Sequence, residues 1–174
     1  MGTSIGRFIE RNGSAWRATG IVLAFAAVAG TGLAADLPTW RTQVDAARAL
    51  ADNDVLRAAE QIRALWRDIP ADATPADRAH ALSIRSRIEN YLAETDVAAA
   101  SANEALAIAR RNGDRAGRAE ADLDLALITV NQADMKGLVT ATSDALTSLE
   151  GVDRPDLMSE AMLRASMRYL RFGD

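Results

Sequence analysis

The chain has no cysteine and a single histidine, His80, among 174 residues. Without cysteine, no disulfide can hold the fold and no thiolate can ligate a metal or attack a substrate. A lone histidine excludes His-pair zinc sites, so any metal would fall to carboxylates alone. Aromatic residues make up only 5% of the chain, and there is no excess of positive charge, with 20 Lys and Arg against 24 Asp and Glu. Nucleic-acid binding needs basic residues gathered on one face, so this balance argues against such a partner. Alternating apolar and polar runs of strand type are missing. So are the phosphate loop, the nucleophile elbow and the zinc-protease helix, and with them any basis for expecting a cofactor or a catalytic residue.

One apolar run is present, Ile21 to Leu33, preceded by Arg7, Arg11 and Arg17 and followed by Ala34-Ala35. A basic region, a short apolar core and small residues at its end form an export signal. The run falls short of the ~20 residues that span a bilayer. The sequence therefore predicts a signal peptide over 1–35, with an uncleaved anchor as the alternative and the sole route to a membrane. Removing three Arg and one Glu with that segment leaves 17 basic and 23 acidic residues in 36–174. The expected location is periplasmic or secreted.

The remainder is periodic. Asp54, Glu94, Asp134 and Asp174 stand 40 apart, as do Ala81, Ala121 and Ala161, and Ala105-Leu106 returns as Ala145-Leu146. A fixed interval of this size with two helices per unit marks a helical solenoid. Seven helices are expected. Asp36-Leu37-Pro38 caps the first, which stops at Asp52-Asn53; Asp54 opens the second, which Pro70 ends. Thr74-Pro75-Ala76-Asp77 reads as a capping box for the third, to about Ala93. The fourth, about Thr95 to Asn112, carries Ala98, Ala102, Ala105 and Ala109 on its inner side and belongs in a tight pair. Gly113 supplies the left-handed stop. Helices from about Arg115 to Gln132, from Met135 to Glu150, and from Pro155 onward complete the set.

Gly113-Asp114 through Ala133-Asp134-Met135, with Leu125-Ala126 and Thr129 matched by Ala165-Ser166 and Tyr169, resembles a tetratricopeptide repeat of the forty-residue type. The helix B pattern of small residues seven apart is met by Ala98 and Ala105 and partly by Leu138 and Ala145. In the second unit Arg85 and Glu89 fall at apolar places, and a one-residue slip bringing in Ile84 and Ile88 reads better; Asp45 departs from the pattern in the first. The resemblance implies a right-handed all-α solenoid over 36–174, with an incomplete last repeat, that binds a protein or peptide along a concave surface. Carried over position by position, that surface comprises His80, Ser83, Arg87, Asn90 and Tyr91, then Glu120, Leu123, Leu127 and Asn131, then Leu163, Met167 and Arg171. The Lys and Asn positions of a carboxylate clamp hold Ser83 and Arg87, then Leu123 and Leu127. That argues against a free C-terminus as ligand and favours an amphipathic segment. The resemblance also allows a periplasmic sensory segment of a larger signalling enzyme such as a diguanylate cyclase.

Residue by residue, plainer expectations follow. His80 is expected to be an ordinary helix-surface residue. Glu120 and Asp124 share a helix face while Asp122 points elsewhere, so the three are expected to be a solvated face rather than a cation site. Met158, Met162 and Met167 form an apolar stripe on the last helix. It is expected to be covered by further repeats of a longer protein, or else by pairing with a second copy or a bound segment.

Overall fold

A computed structural model describes residues 35–172, with side chains placed as far as Met167. The expected export signal lies outside the described residues, as do Asp174 and the side chain of Arg171. Seven helices follow one another: α1 Leu37–Ala51, α2 Val55–Arg67, α3 Pro75–Tyr91, α4 Thr95–Arg111, α5 Arg115–Asn131, α6 Met135–Leu149 and α7 Pro155–Phe172. No strand occurs among the described residues, and none of their helices is long and apolar enough to cross a membrane.

The spacing is finer than the forty-residue interval. From Val55 to Pro155 a helix starts every 20 residues. The turns that set this step are near copies. The N–H of Glu94 donates to Glu89 O at 3.0 Å, that of Asp114 to Ala109 O at 3.0 Å, and that of Asp134 to Thr129 O at 2.9 Å. Each is the long bond of a Schellman closure, which requires the preceding residue to be left-handed. Gly113 meets the requirement at φ +67°, whereas Ala93 at +60° and Ala133 at +57° do so with a Cβ that opposes it. Aspartates then start the next helix: Asp54, Asp114 and Asp134 accept from the backbone N–H three residues on. Glu94 stands in the same register but makes no such cap; it accepts from Arg63 at 2.6 Å instead. Thr74 and Asp77 close the capping box expected before α3.

Each helix packs on the next in sequence, and α1, α3, α5 and α7 also touch one another in turn, while α2, α4 and α6 do not. The odd-numbered helices thus form a continuous row with the even-numbered ones behind. The apolar core is correspondingly a chain of clusters, from Trp40, Val44, Ile62, Ile84 and Ile88 at one end to Leu123, Leu149 and Leu157 at the other. Ala98, Ala102, Ala105 and Ala109 are all buried, so α4 is the close-packed helix its small residues imply.

The one-residue slip expected in α3 does not occur. Pro75 starts that helix 40 residues before Arg115, in register with the rest. Ile84 and Ile88 do pack against α1 and α2, yet Glu89 is also buried, toward α4. It accepts from Arg85 Nε at 2.7 Å and from the Ser101 hydroxyl at 2.7 Å. An ion pair with a second hydrogen bond, from Ser101, occupies the place of an apolar residue.

Candidate interaction surface

Along the row of odd-numbered helices, charged side chains with the helical spacing of three and four meet across helix boundaries. His80 of α3 lies between two carboxylates: Nδ1 is 3.0 Å from Glu120 Oε2 of α5, and Nε2 is 3.0 Å from Asp45 Oδ1 of α1. Arg48 of α1 approaches the other Glu120 oxygen at 3.9 Å. Farther along, Arg87 of α3 donates to Asp124 Oδ1 of α5 through Nε at 3.0 Å and Nη2 at 2.7 Å. Its Nη2 also lies 3.3 Å from Glu160 of α7, and Glu160 in turn pairs with Arg164 at 3.1 Å. Asn131 Nδ2 donates to Asn90 Oδ1 at 3.1 Å near the ends of α3 and α5.

Two expectations fall here. Glu120, Asp122 and Asp124 are not a solvated face; they are 4%, 3% and 1% exposed. The helical geometry was right, since Glu120 and Asp124 point into the odd-helix row and Asp122 does not. What overturns solvation is that α1 and α3 supply cations to that side. His80 is likewise no ordinary surface residue, because both of its ring nitrogens are engaged.

Burial and pairing shape the protonation of this ladder. Hydrogen bonding to Glu120, working against desolvation and helped by Asp45, raises the imidazole to about 9. It is therefore an imidazolium at neutral pH, with both N–H groups donating. Burial opposes charge on Glu120, but His80, Arg87 and Arg48 outweigh it and hold the carboxyl below its ordinary value. Asp124, with one oxygen buried and unpartnered, is pushed up to about 6 by desolvation that Arg87 only partly offsets. The eight charges named, Asp45, Glu120, Asp124, Glu160, Arg48, His80, Arg87 and Arg164, sum to zero. Among the described residues no group of three or more His, Asp or Glu has the arrangement of a metal site.

Two clefts flank the Asp45–His80 contact. One, of about 300 Å³, is bounded by Arg48, Ala49 and Asp52 on one side and Ile84, Arg87 and Tyr91 on the other. The second, of about 340 Å³, reaches past Arg41, Asp77 and His80 to Gly117 and Arg154. Arg41 holds Asp77 bidentately at 2.7 and 2.8 Å, keeping that carboxyl down at about 2.

Of the residues the sequence nominated, Tyr91 and Leu163 are exposed, 49% and 53%, and Asn131 is exposed as well. His80, Arg87, Leu127 and Met167 are half-buried. Ser83, Asn90, Glu120 and Leu123 are buried, and Leu123 packs with Ala119, Leu149 and Leu157 in the core. Asp45, Arg48, Glu160 and Arg164 belong to the same surface and were missed. A signal existed: His80, Glu120 and Glu160 are 40 apart, as are Asp124 and Arg164, so each set occupies one register column.

The chain is thus an all-α helical-repeat protein whose odd-numbered helices share a neutral, internally paired face. Comparison with known protein families, with curated proteins and with solved structures finds no match.

Proposed function

We propose that this chain is a tetratricopeptide-like scaffold, exported and non-catalytic, that holds a polypeptide segment along the face formed by α1, α3, α5 and α7. The observation that carries the reading is the pair of clefts opening on either side of the Asp45–His80 contact, on helices locked together by the ladder. Side chains paired in advance lose little freedom when a ligand arrives, which favours recognition by a preformed surface. Exposed Tyr91 beside the first cleft is the kind of amphipathic anchor that dominates such contacts. Because the ladder is neutral, shape and apolar contact rather than charge would select the ligand, and an amphipathic segment fits that demand. The regular helix starts and repeated turn closures support the family resemblance.

The test is an array of amphipathic peptides probed with the full-length chain and with Ala49→Trp, a substitution at an exposed position that fills the first cleft. Peptides that bind the parent and lose at least about ten-fold in affinity with the variant are expected, the loss of ~1.4 kcal/mol of contact. An array with no binder, or binders indifferent to the tryptophan, would count against the reading.

A further inference from the structure

A cleft of about 200 Å³ lies between α6 and α7, lined by Leu138, Val139, Thr142, Leu146, Arg164 and Ala165 among others. The repeat register explains why it is open. α4 and α6 begin 40 residues apart, and so do α5 and α7, so positions at that interval are structural equivalents. One repeat earlier the corresponding place is filled by Leu125, which packs against Ala98, Ala102, Ala105 and Leu106. Its equivalent in α7 is Ala165, and the equivalent of Ala102 is Thr142. Leucine has given way to alanine, and a methyl cannot reach the facing helix.

The second observation is chemical. Thr142 is 5% exposed and Arg164 is 9% exposed, and both line the cleft. Thr142 Oγ1 and Arg164 Nε are buried there without a hydrogen-bond partner. The rest of the Arg164 guanidinium is occupied, by Glu160 at 3.1 Å and the Met167 sulfur at 3.7 Å. Buried donors in folded proteins are normally paired, and an unpaired one marks a place to explain. This cleft lacks both an aliphatic group and an acceptor oxygen, and a peptide unit carrying a leucine supplies both.

We infer that the α6–α7 cleft is a docking pocket for one leucine-sized aliphatic side chain of a partner polypeptide, seated where Leu125 sits one repeat earlier, with the partner's adjoining backbone carbonyl accepting from Arg164 Nε. The inference is independent of the ligand proposed for the odd-helix face.

The experiment is a methyl-NMR titration of the full-length chain with N-acetyl-leucine N-methylamide and its alanine analogue. Saturable shifts at Leu138, Leu146 and Ala165 are expected with the leucine probe, and at least ten-fold weaker binding with alanine, which buries three fewer carbons. Ala165→Leu, which fills the pocket from within, should weaken the leucine probe at least ten-fold. Ser143→Trp alters only an exposed residue at the rim, and should do the same even if Ala165→Leu fails to fold. Arg164→Lys keeps the positive charge but removes Nε, and a three- to ten-fold weakening is expected. Absence of saturable shifts, equal binding of the two probes, or full binding by folded Ala165→Leu or Ser143→Trp would overturn the pocket. Unchanged affinity of folded Arg164→Lys would overturn the carbonyl contact.

Discussion

α4 and α5 are neighbours of equal length, 17 residues each, and both are largely buried, yet their inner faces are opposites. The buried positions of α4 are Ala98, Ser101, Ala102, Ala105, Leu106 and Ala109. Those of α5 include Glu120, Asp122 and Asp124. The first seam holds by close approach of two backbones, which small side chains permit and almost any enlargement prevents. The second holds by cations reaching in from α1 and α3, with Glu120 and Asp124 each dependent on a partner from another hairpin. A dry seam tolerates little change of volume. A charged seam tolerates little change of one partner alone.

Placing a charge in the dry seam should have the largest effect. Ala105→Arg combines overpacking with an unpaired buried cation, and a loss of at least ~4 kcal/mol is expected in urea denaturation. A parent-like melt would mean that α4 is not packed as described. Next comes removal of one partner from the charged seam. Arg87→Leu strands Asp124 in the interior and should destabilise by ~3 to 5 kcal/mol, whereas the double variant Arg87→Leu/Asp124→Leu should recover most of that loss. If the double variant is no better than the single one, the two carry roles beyond mutual neutralisation.

The pH dependence sharpens the same contrast. His80 is held at about 9 in the folded chain, above its ordinary value near 6.5. Its contribution is therefore complete below pH ~6.5 and declines as pH rises through about 9. Thermal melts of the parent should lose more between pH 7 and 10 than those of His80→Gln, which has no imidazolium between Asp45 and Glu120. Parallel curves would separate the ladder from stability. The smallest effect concerns the turns: Ala133→Gly relieves a left-handed Cβ in the position that Gly113 fills elsewhere, and a gain of ~0.5 to 1 kcal/mol is expected from denaturation midpoints.

Much of the fold was readable because its signals are local. Asp36, Thr74 with Asp77, and Gly113 mark helix ends by hydrogen bonds within three to five residues, and the alanines of α4 advertise a tight seam on their own. The surface was harder. Arg85 and Glu89 looked like a register slip because a salt bridge at apolar positions has the same pattern as a misplaced frame. Asp124 looked solvated because its partner, Arg87, lies 37 residues away on another hairpin. Leu123 was assigned to a groove by position within the repeat, but the packing of α7 covers it.

By itself the sequence determined the seven rods, their caps and their constant step, since helix starts, stops and apolar stripes are written in neighbouring residues. Which carboxylates are buried, and with which cations, was decided only when hairpins from separate parts of the chain came together. A charge is stable inside only where an opposite charge meets it, and that meeting is a fact of tertiary contact rather than of local pattern.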